Sequence, residues 1–183
     1  MSKHIRPSRS RPACEGPALG EVRVLTFEAT IDDVRRGLSL DDQEIVAVIK
    51  PQLDPPFWKC PGGMLRQGET FEEAVVYELE EETGAKADID QLHLLYEEEK
   101  ERRRPHSGTF PVKLFAAFGC DYDSLLDPLS FEEGDEGELV SLIRLGDINE
   151  ENTWPIPNIP SSSERFYGPH LRLLSRAMGH LSR

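Results

Sequence analysis

Hydrophobic and polar residues follow two different periods along this chain, and the switches between them mark out its elements. Residues 21–29, EVRVLTFEA, read as a strand. So does EIVAVIK at 44–50, whose continuous apolar run suits a central position in a sheet. LHLLYEEEK (92–100) and TFPVKLFAAFG (109–119) read as the two strands of a hairpin, joined by a connection that contains Pro105 and Gly108. ELVSLIRL at 138–145 gives one more strand. Helical spacing occurs three times. TIDDVRRGL forms a short helix capped by Thr30. A second helix runs from about Phe71 to Thr83, and a terminal one from about Pro169 to Leu181. Leu171, Leu174, Met178 and Leu181 form the packing face of the last. Pro51, Pro55 and Pro56 impose a loop, and WPIPNIPSSS imposes another. Helices fall between groups of strands, which predicts a mixed sheet flanked by helices. Residues 1–20, rich in Pro, Arg and Ser and without period, are expected to form a disordered tail before one domain over 21–183.

Composition narrows the function. A chain of 183 residues is long enough for one full hydrophobic core. Its formal net charge of −13 argues against a broad electrostatic grip on nucleic acid. A small polyphosphate can still bind if a divalent cation sits between it and the protein. No apolar run reaches the length of about 18 residues that a membrane span needs, so none is expected. The N-terminus lacks the apolar stretch of a secretory signal, and the odd set Cys14, Cys60 and Cys120 forms no metal-like pair. A reduced, cytoplasmic setting is the expectation.

The helix over 71–83 carries the chemistry. Thr70 and Glu73 fit a capping box, and Gly84 fits the position just past the end. At about 100° per residue, Phe71, Ala74, Val75 and Leu79 share one apolar sector. Glu72, Glu73, Glu80 and Thr83 gather opposite and read as solvated. Glu78 and Glu82 fall in the middle of the apolar sector instead, with Glu81 at its edge. A glutamate-rich helix is ordinarily a solvated face. Such a face does not place two carboxylates one turn apart in the core-facing stripe. Close, desolvated carboxylates repel and need compensation. A divalent cation with a preference for hard oxygens supplies it economically, and arginine or lysine partners are the alternative. Upstream, Gly62 and Gly63 permit close backbone approach, and Glu69 stands just before the helix.

These residues resemble the Nudix hydrolase signature, G-x5-E-x7-R-E-U-x-E-E-x-G-U with U apolar. Gly63, Glu69, Glu78, Leu79, Glu81, Glu82, Gly84 and Ala85 meet it at the required spacing. Tyr77 stands where the signature has arginine, so a hydrogen-bond donor remains and the positive charge is gone. The resemblance implies an α/β fold, the Nudix-type α/β/α sandwich with a mixed β-sheet. It implies Mg²⁺ or Mn²⁺ held by Glu78 and Glu82, with Glu81, Glu69 and the Gly63 carbonyl assisting. It implies hydrolysis of a diphosphate linkage in a nucleotide-like substrate, and a homodimer is common among such proteins. The alternative reading is a module of the same fold that senses a nucleotide without cleaving it, which Tyr77 keeps open. RNA-end processing is a third, disfavoured by the acidity.

Other residues have expected roles. Glu81 is one candidate general base; Glu133, in the acidic loop before the strand at 138–145, is the other, with Glu132 and Glu136 as neighbours. Arg66 is placed to bind phosphate. Phe57, Trp58, Trp154 and Asn158 are candidates to cradle a base, although the aromatics serve equally as packing. Arg102, Arg103, Arg104 and His106 form a basic hairpin tip that is ordinarily a solvated turn.

Overall fold

Alternation along β1 (Glu21–Phe27) sets the layering of the molecule. Val22 and Val24 enter one apolar cluster, while Leu25 and Phe27 enter the other. The computed structural model describes residues 17–50, 53, 55–102, 107–126, 139–157 and 162–181, with side chains through Met178. The predicted hairpin is present: β3 (Leu92–Glu101) and β4 (Thr109–Phe118) pair antiparallel. β1 lies parallel to β4, with Val22 opposite Lys113 and Phe27 opposite Phe118, so this sheet has the order β1-β4-β3 and is mixed. β2 (Glu44–Ile49) pairs antiparallel with β5 (Leu139–Arg144), and the short β6 (Thr153–Pro155) pairs with β7 (Ser163–Arg165). One core cluster draws Leu25 and Phe27 from β1, alternate residues of β2 and β4, Leu139 and Ile143 of β5, and Leu173, Leu174 and Ala177 of α3 (Gly168–Leu181). The opposite cluster sets Val22, Val24, Phe115 and Ala117 against Ala74, Val75 and Leu79 of α2 (Phe71–Thr83). Helices therefore cover both faces, as expected. α1 (Ile31–Arg35) is short and capped by Thr30, whose hydroxyl accepts from the Asp33 N–H.

The stretch that reads as a proline–glycine loop joins the two larger sheets. Lys59 and Val48 exchange both backbone hydrogen bonds, each 3.0 Å. Residues 61–65 then run beside β1. Val24 N–H donates to the Pro61 carbonyl at 3.0 Å, Val22 N–H to the Gly63 carbonyl at 2.9 Å, and Leu65 N–H to the Gly20 carbonyl at 2.9 Å. Pro61 and Gly62 are buried. Buried backbone polar groups need partners, and β1 supplies them. The loop is thus an extended segment on the side of β1 away from β4.

α2 begins and ends where its sequence dictates. The Thr70 hydroxyl accepts from the Glu73 N–H, and the Glu73 carboxylate accepts from the Thr70 N–H at 2.9 Å. Gly84 closes the helix in the left-handed region at φ 77°, with its N–H on the Glu80 carbonyl at 3.0 Å. Thr83 corrects the helical-wheel expectation: it is 0% exposed. Its hydroxyl donates to the Leu79 carbonyl at 2.6 Å and accepts from the Ala85 N–H at 3.0 Å. Residues 121–126 cover this end, with the Leu126 N–H on the Thr83 carbonyl at 2.8 Å. A wheel counts only angles within one helix, whereas a covering segment buries a residue on any side. In α3, Leu171, Leu174 and Met178 pack against the core as expected; the Leu181 side chain lies outside the described residues.

Leu79 is fully buried between α2 and β1. Leu79→Ala is expected to lower stability by about 2–5 kcal/mol, read from the midpoint of urea unfolding at constant slope.

Candidate active site

The site forms where α2 lies against the segment on β1. Glu78 is 9% exposed and faces Gly63. A Cβ built on Gly63 would stand 2.2 Å from the Glu78 Oε1, so glycine makes the room that this carboxylate occupies. One turn further on, Glu82 is half-buried and its Oε2 accepts the Gly62 N–H at 2.8 Å. Glu81 is exposed at the rim. The structure thus brings Gly63, Glu78 and Glu82 together through a helix whose caps fix its start and a loop whose carbonyls are held by β1. Among the described residues, no group of three or more His, Cys, Asp or Glu side chains is already gathered as a metal cluster.

Behind the loop lies a charged network absent from the sequence expectations. Arg23 donates through Nη1 to the Gly62 carbonyl at 2.6 Å. Its Nε and Nη2 both reach Glu21 Oε1, at 3.0 and 2.8 Å, and Lys100 Nζ reaches Glu21 Oε2 at 2.9 Å. Burial of Glu21 by itself would raise its pKa. Arg23 and Lys100 more than offset that, and the carboxyl sits below its ordinary value of 4.5. His170 of α3 is buried nearby and accepts the Cys60 N–H on Nδ1 at 3.2 Å. Burial, with Arg23 and the lysines Lys59 and Lys100 adding to it, holds this imidazole well below 6.5 and therefore neutral at pH 7. Cys60 is buried and its thiol is pushed up to about 12, so it is no nucleophile at pH 7.

The remaining expected residues separate clearly. Glu69 accepts the Arg66 N–H on Oε2 at 3.1 Å, which closes its own turn around Gly68. Arg66 is half-buried in that turn. Trp58 is a correction: at 0% exposure it presents no face to a ligand. It lies in the extended segment between β2 and residues 165–167, where its Nε1 donates to the Trp154 carbonyl at 3.2 Å. Trp154 is half-buried and meets Phe166 edge-on, and Phe57 is half-buried beside Tyr167. Arg102 lies over the Phe110 ring and bonds the Ala18 carbonyl, a structural use of part of the basic tip. Glu132, Glu133, Glu136, Arg103, Arg104, His106 and Asn158 lie outside the described residues.

Glu21 and Arg23 had a usable signal. They stand two apart in a strand, on the face that Leu25 and Phe27 continue into the core. A charged pair at the mouth of an apolar face asks for a partner. What the pair touches depends on residue 62, which nothing local reveals.

Comparison with known proteins bears on the family and the fold. Residues 35–160 match the family profile described as the NUDIX domain. A curated relative, "Putative nudix hydrolase 1" of Caenorhabditis elegans, is 29% identical over 93 residues. That match covers 48% of this chain and 26% of the relative, so the chain spans about a quarter of that protein. Among solved structures, a MutT/nudix family protein from Enterococcus faecalis superposes with a TM-score of 0.58 at 17% identity, covering 95% of this chain and 65% of that one. An ADP compounds hydrolase superposes with a TM-score of 0.54 at 16% identity, over 89% of this chain and 72% of that one.

Two substitutions separate fold from site. Gly62→Ala forces a side chain onto φ 142° and sets its Cβ 2.1 Å from the Val22 carbonyl, which is backbone and cannot yield. It is expected to lower stability by about 2 kcal/mol or more. For Gly63→Ala the nearest atoms to the new Cβ all belong to the Glu78 carboxylate, the far end of a flexible side chain, so its melting midpoint should stay closer to the parent's than that of Gly62→Ala while the carboxylate is displaced. Circular dichroism melts of the two variants check the contrast.

The Glu21–Arg23 pair makes a second expectation. Glu21→Ala leaves Arg23 largely buried without its carboxylate, at a cost of roughly 3 kcal/mol near neutral pH. Because the folded pKa of Glu21 is lowered, its contribution is present above pH 4.5 and fades as pH falls through the folded value. The stability gap between parent and variant, measured by denaturant titration, should therefore narrow below about pH 4.5.

Proposed function

This chain belongs to the Nudix family, and on that premise we propose that it is a divalent-cation-dependent hydrolase of diphosphate linkages, acting on a nucleoside diphosphate joined to a second group. The observation that carries the reading is the buried Glu78 carboxylate fitted against Gly63, with Glu82 one turn away. The donor set is all oxygen: two carboxylates and the Gly63 carbonyl, whose second lone pair remains beside its bond to Val22. That set suits magnesium or manganese. Magnesium is commonly held by one or two carboxylates, waters and the substrate's own phosphates, so a third protein carboxylate need not be gathered in advance. A bound ion would supply charge neutralisation on the diphosphate and a more acidic water.

The chain's own residues do the rest. Glu78 and Glu82 orient hard oxygens from one helix face. Glu81, exposed at the rim, takes the proton from the attacking water; Glu133 is the second candidate for that role. Arg66 in the turn before α2 binds a phosphate oxygen. Phe57 and Trp154, half-buried on the α3 side, line the position of a base, and Asn158 is a further candidate for contacting it on the sequence alone. Glu69 acts indirectly, by closing the Arg66 turn. An ADP compounds hydrolase shares the fold, so ADP-linked compounds are the first to test.

The experiment is a panel of nucleoside triphosphates, nucleotide sugars, dinucleoside polyphosphates and ADP-ribose, incubated with the protein and Mg²⁺ and assayed for phosphate products. Turnover is expected with at least one class, removed by EDTA and lowered about 100-fold or more by Glu82→Gln and by Gly63→Ala. Nucleotide binding in Mg²⁺ with no turnover across the panel would make the chain a sensor instead. Turnover that survives EDTA would refute the metal-dependent reading.

A further inference from the structure

We propose that Arg23 is a positioning residue for Glu82, acting through Gly62; this rests on the reading of Glu82 as a metal ligand. The segment beside β1 turns the carbonyls of Pro61 and Gly63 toward the strand, where Val24 and Val22 N–H groups take them. The Gly62 carbonyl between them is bonded instead by the Arg23 guanidinium at 2.6 Å. Gly62 holds φ 142°, a region in which glycine has little steric guidance of its own. Its orientation is set from both sides. Arg23 holds the carbonyl with a charge-assisted bond, and the N–H holds Glu82 Oε2 at 2.8 Å.

Arg23 is in turn aimed by two bonds to Glu21, and Glu21 is anchored by Lys100 of β3. A continuous line of contacts thus runs from Lys100 through Glu21, Arg23 and Gly62 to Glu82. It links the hairpin to the helix that carries the carboxylates. With Tyr77 in the helix position that the family signature gives to arginine, a fixed cation for this site comes from β1. Its charge reaches the carboxylate through a backbone residue rather than by direct contact. A lysine at position 23 retains the charge but lacks the fork that bonds Glu21 and Gly62 together.

The test is Mn²⁺ binding to the full chain without substrate, measured by electron paramagnetic resonance. The variants are Arg23→Met, Arg23→Lys, Glu82→Gln and the double variant Arg23→Met/Glu82→Gln, each checked for parent-like circular dichroism at the assay temperature. Glu82→Gln should weaken Mn²⁺ binding. Arg23→Met should weaken it by about 10-fold, with Arg23→Lys intermediate. The double variant should bind no worse than Glu82→Gln alone, because Arg23 has nothing left to position. Losses that multiply in the double variant, or an unchanged affinity in Arg23→Met, overturn the positioning role alone. Parent-like Mn²⁺ binding by Glu82→Gln overturns the metal reading and this proposal with it. If Arg23→Met does not fold, Arg23→Lys takes its place in the same cycle, with the same non-additivity expected.

Discussion

The close approach of Gly63 to Glu78 depends on the backbone of residues 61–65 lying flat along β1. That arrangement rests on a simple requirement. Proline and glycine bring few side-chain contacts, yet Pro61 and Gly62 are buried, and buried carbonyls must be bonded. Val22 and Val24 offer N–H groups along the side of β1 that β4 leaves open, and Gly20 accepts the Leu65 N–H. Once the segment is held there, Gly63 lies under α2 and its missing side chain becomes the space for a carboxylate. Removing the strand's backbone bonds would leave the same residues without a site.

α2 meets this loop with a face that is apolar and acidic together. Ala74, Val75 and Leu79 bind it to β1 and β4, so the carboxylates are carried inward by the packing of their neighbours. Glu78 is buried in the space that Gly63 leaves, close to the glycine backbone. Glu82 shows the same economy, since its bond to the Gly62 N–H both satisfies the loop and directs the carboxylate. Stability and the proposed chemistry therefore use the same few contacts.

The two faces of β1 divide the labour. Its even-numbered valines pack under α2 and hold the helix. Its odd-numbered residues begin with Glu21 and Arg23 and continue as Leu25 and Phe27 into the core beneath α3. His170, neutral and fixed by the Cys60 N–H, sits on that second side with the lysines Lys59 and Lys100 in its electrostatic surroundings. An acidic protein thus keeps a group of cations on the side of β1 where Arg23 reaches the site.

Much of this was legible in the sequence because it is local. Periodicity placed β1 to β5, the β3–β4 hairpin and α1 to α3, since side-chain period reports which face an element buries. Capping chemistry placed both ends of α2, since Thr70, Glu73 and Gly84 satisfy backbone groups within reach. The fixed helical angle put Glu78 on the inward face before any neighbour was known. Tertiary structure decided what local rules do not contain. It buried Trp58 and Thr83, because segments distant in the chain cover them. It turned a proline–glycine loop into an extended partner of β1, because the deciding hydrogen bonds span about 40 residues. It joined Arg23 to Glu82, because a contact relayed through a backbone carbonyl depends on where the chain passes and leaves no mark in the residue types at its ends.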